Sequence, residues 1–201
     1  MALTLPDFPW DSLASYKERA SAVPGGIVDL SVGTPVDPTP AVLQDALRRA
    51  ADAPGYPTTW GTPALREAVA AWFERTRGCP GVDADSVLPT IGSKELVAWL
   101  PTLLGLGPGD VVGIPAVAYP TYEVGARIAG ASVVRADDPD DWPEGTRLVW
   151  LNSPGNPDGR VHGHDVLRRA VERAREIGAV IANDECYTEL NWDSDAPTPS
   201  I

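Results

Sequence analysis

Cysteine, histidine, lysine and methionine are all scarce in this 201-residue chain. Two cysteines, Cys79 and Cys186, are too few for a disulfide scaffold, and a reducing cytoplasm is the default compartment. His162 and His164 lie two apart in a polar stretch with no further Cys or His beside them, so they lack metal-ligand spacing and no metal is expected. Lysine occurs at Lys17 and Lys94, which narrows any chemistry that needs an amine nucleophile. Positive charge is also short: 16 Lys and Arg face 28 Asp and Glu, and the net charge of −12 disfavours nucleic acid or an anionic membrane as partner. No segment approaches the ~18 apolar residues of a transmembrane helix. Met1-Ala2-Leu3-Thr4-Leu5-Pro6-Asp7 has neither the basic start nor the apolar stretch of a signal peptide.

What is present suits a buried core. Hydrophobic residues make up 43% and charged residues 22%, the balance of an ordinary soluble domain. The 21 prolines and 19 glycines are dispersed between periodic segments, where they punctuate turns. Trp10–Ala22 reads as a short helix and Ile27–Leu30 as an apolar strand. Pro40–Asp52 is amphipathic, with Val42, Leu43, Ala46 and Leu47 on one face. A helix is expected after Thr62 as N-cap and Pro63 at its first position, carrying Leu65, Ala68, Val69, Trp72 and Phe73 at helical spacing and stopping at Gly78.

From Val87 strands and helices alternate. The strands are Val87–Ile91, Val111–Ile114, Ala131–Arg135, Leu148–Leu151 and Ala179–Ala182; the helices run from Gly92 to about Leu104, over Tyr119–Ala129, and from about Asp165 to Ile177. Repeated β-α-β with short apolar strands predicts an α/β fold, a mainly parallel sheet between helices. The last two strands form a crossover unit, so the loops Asn152–Gly159 and Asn183–Tyr187 share the carboxyl edge of the sheet, where open α/β sheets bind ligands.

Each polar residue at that edge has a plain reading beside a chemical one. Gly92-Ser93-Lys94 opens a helix after a strand; its unpaired N–H groups and a serine hydroxyl suit an anion, although a serine there can be a simple cap. Asp184 can keep a pyridine nitrogen protonated so that the ring accepts electron density, or can merely cap a turn. Asn156 and Tyr187 can both donate to a phenolic oxygen; Asn156-Pro157 can equally be a turn. Tyr119 can stack on a ring or sit in the core, and Tyr56 can reach a phosphate or stand exposed in its loop. Cys186 reads as structural, and Asp137-Asp138-Pro139-Asp140-Asp141 as a solvated loop. Lys94 is read as unsuited to a Schiff base, because its side chain at a helix start is expected to point away from the pocket its backbone lines.

These segments together resemble the fold-type I aminotransferases that use pyridoxal 5′-phosphate. The likeness runs through Leu30–Pro35, Gly55-Tyr56, Gly61, Leu65-Arg66, Gly92-Ser93-Lys94-Glu95, Tyr119-Pro120 with Tyr122, Asn156-Pro157-Asp158-Gly159 and Asp184-Glu185-Cys186-Tyr187. It implies a three-layer large domain, here incomplete, with residues 1–40 an N-terminal arm and small-domain segment and 41–201 the first part of the cofactor-binding domain. It also implies roles. Ser93 and Lys94 cradle the phosphate, Tyr119 stacks on the ring, Asn156 and Tyr187 meet the phenolic oxygen, and Asp184 meets the ring nitrogen. Tyr56 reaches the phosphate of a neighbouring subunit in a homodimer, and Gly33 belongs to a loop near the substrate carboxylate.

Within the family, Asp29–Pro40, Gly55–Ala64 and Pro89–Leu106 look most like bacterial N-succinyldiaminopimelate aminotransferases. The implied reaction joins an amino acid and a 2-oxo acid, N-succinyldiaminopimelate and 2-oxoglutarate, in lysine and diaminopimelate biosynthesis. Asp158 departs from the threonine common in the family's turn. The Schiff-base lysine and the arginines for phosphate and substrate lie downstream of Asp-x-x-Tyr in the family. The expectation is therefore a C-terminally truncated chain that carries no catalytic lysine and is inactive alone. A carbon–sulfur lyase using the same cofactor shares every motif quoted, and a non-catalytic cofactor-binding domain is the other alternative.

Overall fold

Four short apolar runs build one sheet, and its two central strands are the buried ones. In the computed structural model, which describes residues 5–7, 9–193 and 195–201, the four strands are β1 (Val111–Ile114), β2 (Ser132–Arg135), β3 (Thr146–Asn152) and β4 (Val180–Asp184). The expectations that touch Met1–Thr4 at the N-terminus, and positions Phe8 and Ser194, lie outside the described residues. The strand order is β2-β1-β3-β4 and every neighbouring pair is parallel. The chain gathers into two compact units, Phe8–Thr59 and Trp60–Ile201 with Met1–Asp7.

In the smaller unit a 3-10 turn, Pro9–Leu13, leads into α1 (Ala14–Ser21), and α2 spans Ala41–Ala50. Lys17 Nζ pairs with Asp29 Oδ2 at 2.8 Å. Ile27–Leu30 is not a strand: Val28 and Leu30 are 85% and 87% exposed, and no partner strand among the described residues offers them hydrogen bonds.

The larger unit holds α3 (Pro63–Arg77), α4 (Ser93–Leu103), α5 (Pro120–Ala129) and α6 (His164–Ile177). α3 starts and stops where its sequence says. Thr62 Oγ1 accepts from Leu65 N at 3.2 Å, and Gly78 ends the helix at φ 62°, a backbone that suits a residue without Cβ. Val87–Ile91, expected as a strand, forms none among the described residues, with Ile91 in a bend and Leu88 58% and Ile91 96% exposed; a strand exists only with a neighbour to complete its ladder.

Alternation along β3 divides the core into two layers. Leu148 and Trp150 point to one face and meet Val97 of α4, Tyr122 and Ala126 of α5, and Val112 and Ile114 of β1. Val149 and Leu151 point to the other and meet Trp142 and Leu167, Ala170 and Ala174 of α6. Helices therefore cover both faces, the three-layer arrangement expected of alternating strands and helices. Each fully buried aliphatic side chain, Ile114 or Leu148 for example, contributes about 1.5–3 kcal/mol.

α4 and α5 approach closely at one turn. Pro101 has no N–H to give to the Val97 carbonyl one turn back. Gly125 of α5 lies against that turn, where an added Cβ would stand 2.9 Å from both Val97 O and Ala98 O. Gly125→Ala should therefore push the helices apart and cost about 1–3 kcal/mol. Urea unfolding midpoints of the two proteins measure it, and equal midpoints would show that the helices separate freely.

Candidate functional site

β3 and β4 end level with each other, Asn152 opposite Asp184. Asn152, buried and polar, ties both following loops to the sheet. Its Nδ2 donates to the Asp184 carbonyl at 2.9 Å and to Pro154 O at 3.1 Å, while its Oδ1 accepts from Asn156 N at 2.7 Å. Ser153 N also donates to Asp184 O at 3.1 Å, and Ser153 Oγ accepts from His162 N at 2.9 Å. Both Ser153-Pro154 and Asn156-Pro157 peptide bonds are cis. Asp158, the departure from the family's turn, closes the turn by accepting from Arg160 N at 3.1 Å, and its Oδ1 fills the space a Cβ on Gly155 would need.

A cavity of about 210 Å³ opens at this edge. Ser93, Lys94, Tyr119, Asn156, Asp184 and Tyr187 all line it, together with Val97, Tyr122, Asn152 and Cys186. The sequence-based candidates from four separate loops thus meet in one place. Tyr56 and Gly33 belong to the Phe8–Thr59 unit, and Tyr56 is wholly exposed. A wider cavity of about 810 Å³ adjoins and shares Asn156 and Tyr187. Prolines and the apolar residues Val161, Leu190 and Trp192 line it together with His164, Asn191, Asp193 and Thr198. The converging carboxylate, phenols and helix start are in the smaller space.

Two side chains matter here that the sequence left without a role. One is Asn152. The other is Tyr122, fully buried on the first turn of α5, whose hydroxyl donates to Asp184 Oδ2 at 2.8 Å. Its ring stacks on Trp150 at 4.9 Å and 15°, and Tyr119 meets it edge-on at 5.8 Å. Three aromatic rings in series therefore set one carboxylate oxygen, while Asp184 Oδ1 accepts from Cys186 N at 3.2 Å. The signal in sequence was the three-residue step from Tyr119 to Tyr122 across a helix start.

Tyr119 has its own anchor. Asp137 Oδ1 accepts from Ala116 N at 2.9 Å, and Arg135 Nη1 donates to Ala116 O at 3.3 Å, which fixes the loop before Tyr119. Asp138 and Asp140 both pair with Arg169 of α6, at 2.9 and 2.8 Å. The aspartates of the acidic stretch are exposed, as expected of a solvated loop, and they also link α6 to the Tyr119 loop.

Electrostatics keep the phenols and thiol protonated. Burial first, then the Asp184 carboxylate, pushes the Tyr122 hydroxyl far above the usual phenol range. Burial, then Cys186 and Asp184, raises Tyr187. Burial and Asp184 push the Cys186 thiol up to about 12. Neutral donors around one carboxylate, a flat tyrosine, and the start of an eleven-residue helix suit a small aromatic ligand that carries an anion and a basic ring nitrogen. Pyridoxal phosphate answers that description, and the donor set fits it.

The family model described as aminotransferase class I and II matches residues 26–199. A Streptomyces rimosus protein named 4-dedimethylamino-4-oxo-anhydrotetracycline transaminase OxyQ is 57% identical over 94% of this chain and 53% of its own length. A probable aminotransferase of Mycobacterium tuberculosis is 55% identical over 97% of this chain and 47% of its own. A solved structure from Thermus thermophilus, a probable N-succinyldiaminopimelate aminotransferase, superposes with a TM-score of 0.82 at 30% identity, over 95% of this chain and 55% of that one. The chain spans about half the length of the curated relatives it matches.

Tyr122→Phe should keep the stack on Trp150 yet lose about 1.5–3 kcal/mol, the worth of a hydrogen bond to a charged group; urea unfolding reads it, and an unchanged midpoint would mean that water replaces the hydroxyl. Cys186 supplies a pH test. With its thiol raised, the thiolate is depleted at neutral pH and grows only toward about pH 12. In a Cys79→Ser protein the rate of iodoacetamide alkylation should still climb at pH 10, whereas a free thiol levels off just above ~8.5. Levelling at that lower pH would remove the shift.

Proposed function

This chain belongs to the class I and II aminotransferases, and from that premise we propose that the whole protein transfers an amino group from an amino acid to a 2-oxo acid with pyridoxal 5′-phosphate. The observation that carries this reading is the convergence of Ser93, Lys94, Tyr119, Asn156, Asp184 and Tyr187 on one cavity. When bound, the cofactor supplies a protonated ring that draws electron density from the substrate α-carbon.

The chain's own residues do the rest. Asp184 holds the proton on the ring nitrogen, and Tyr122 holds Asp184 Oδ2 in place. Asn156 and Tyr187 donate to the phenolic oxygen, Tyr187 being kept protonated by its surroundings. Tyr119 covers one face of the ring and excludes water from it. Ser93 and Lys94, at the start of α4, receive the phosphate on main-chain N–H groups. From the resemblance alone we carry forward a homodimer in which Tyr56 serves the neighbouring subunit's phosphate, Gly33 beside the substrate carboxylate, and a division into an arm with small-domain segment (1–40) and large domain (41–201).

For the substrate, the sequence favours N-succinyldiaminopimelate with 2-oxoglutarate, and the likeness to the Thermus thermophilus protein supports it. A second reading rests on the 57% identity to a protein named as a transaminase of an oxo-anhydrotetracycline: amination of a ketone on a polycyclic scaffold. Assays of the whole protein with glutamate as donor and either N-succinyl-2-amino-6-oxopimelate or a 4-oxo-anhydrotetracycline as acceptor separate the two; turnover with neither removes both. Asp184→Ala should still hold the cofactor through its phosphate but lose about 2.7–4 kcal/mol of transition-state stabilisation, the size of one preorganised electrostatic group. Turnover within a few-fold of the parent would deny Asp184 its role.

A further inference from the structure

A buried guanidinium stands behind the Asp184–Tyr187 turn without touching the cavity. Arg77, in the last turn of α3, has a side chain only 2% exposed. Its Nη2 donates to Thr198 O at 3.3 Å and to Glu185 Oε2 at 3.5 Å, and its Nη1 to Glu189 Oε1 at 3.4 Å. Glu185 gathers further bonds: Asn183 Nδ2 and Ser200 Oγ each donate to its Oε1 at 2.7 Å. The Glu185 carbonyl accepts from Thr188 N at 3.1 Å and Thr188 Oγ1 at 2.9 Å, and Thr198 Oγ1 donates to Thr188 O at 3.1 Å. One cation thus fixes residues 185, 189 and 198 of the chain that follows β4.

Burying such a charge is a poor way to add stability, since well-packed apolar side chains often do as well. Its placement has a geometric consequence instead. Consecutive side chains leave a strand on opposite sides. Asp184 shares the side of Ala182, which packs in the α4–α5 layer, and meets Tyr122 there. Glu185 shares the side of Asn183, as their hydrogen bond shows. A grip on Glu185 from behind sets the rotation of the main chain at Asp184, and with it the aim of the carboxylate in front. The turn that Thr188 closes on the Glu185 carbonyl carries Tyr187, so its phenol follows the same grip.

We propose that Arg77 is a positioning residue for Asp184 and Tyr187, acting through Glu185 and contacting neither. The inference rests on the reading of these two residues as partners of the cofactor. Tyr122, Cys186 and Tyr187 are the titratable neighbours of Asp184, and Lys94 lines the same cavity.

The test compares Arg77→Met with Arg66→Met in the whole protein. Arg66 is the other buried arginine of α3, paired with Asp85 at 2.5 Å and laid over Trp60 at 4.0 Å, with no bond to the Asp184–Tyr187 turn. Both variants lose a buried guanidinium and its ion pair and lower the thermal midpoint. With pyridoxal phosphate bound, the pH midpoint of its visible absorbance shifts by about one unit in Arg77→Met, the size of effect a displaced charged neighbour produces. In Arg66→Met it stays at the wild-type value. Where Arg77→Met does not fold, Glu185→Gln removes the charge at nearly constant shape and shows the same shift. A wild-type midpoint in folded Arg77→Met or Glu185→Gln protein overturns the inference, and so does an equal shift in Arg66→Met. Absorbance that does not respond to Asp184→Ala overturns the cofactor reading and the inference with it, so the two failures are distinct.

Discussion

The site depends on the parallel pairing of β3 with β4 and on where that pairing stops. Asn152 and Asp184 are the final residues of their strands and face each other across the ladder. Beyond them the chain separates into two loops whose first polar groups have no strand partner. Asn152 resolves this by bonding across to the Asp184 carbonyl and forward to both Pro154 and Asn156. A shift of register by one residue would turn Asp184 away from the α4–α5 layer and break every one of these bonds. Local hydrogen bonding therefore fixes which carboxylate faces the cavity before any ligand is considered.

Around that carboxylate the protein spends polar contacts in a definite direction. The groups that touch Asp184 at its front, the Tyr122 hydroxyl and the Cys186 N–H, are neutral donors. A buried guanidinium, Arg77, stands behind and reaches Asp184 only through Glu185. The two acidic residues that follow one another in sequence are thus separated by the sheet. Glu185 has the guanidinium, and Asp184 has phenol and amide donors. This leaves Asp184 able to serve a cationic ring nitrogen, which a guanidinium at its own oxygens would satisfy in advance.

Much of this was legible because it is written in short-range chemistry. Thr62, Pro63 and Gly78 mark the bounds of α3 through interactions within a few residues, and the four apolar runs announce a parallel sheet. β3 extends past its apolar run at both ends, to Thr146 and Asn152, because a ladder continues wherever main-chain partners exist, whatever the side chain. Val87–Ile91 fails for the converse reason: it has strand composition and no partner among the described residues. In the site, Ser93, Asn156 and Asp184 follow from their place at strand ends and helix starts. The bonds of Tyr122 and Asn152 to residue 184 span 62 and 32 positions, and those of Arg77 span 108 to 121. No local pattern encodes such contacts; they exist only once the sheet order is known.

The long-range contacts also explain why the helix pair matters to the cavity. α4 brings Ser93 and Lys94 from its first turn, and α5 brings Tyr122 from its own, with Tyr119 just ahead of it. The two helices are held by apolar packing around Val97 and by the close approach that Gly125 permits. Apolar packing is non-directional, so it sets the distance between the helices more firmly than their axial position. Axial position is set at the ends instead, by the Tyr122–Asp184 bond and by the clamp of Asp137 and Arg135 on Ala116. The start of α4 and the Asp184 carboxylate are consequently coupled through one layer of core. A change in the α4–α5 spacing at Gly125, three residues from Tyr122, alters the separation of Ser93 from Asp184 even when every residue that lines the cavity is left in place.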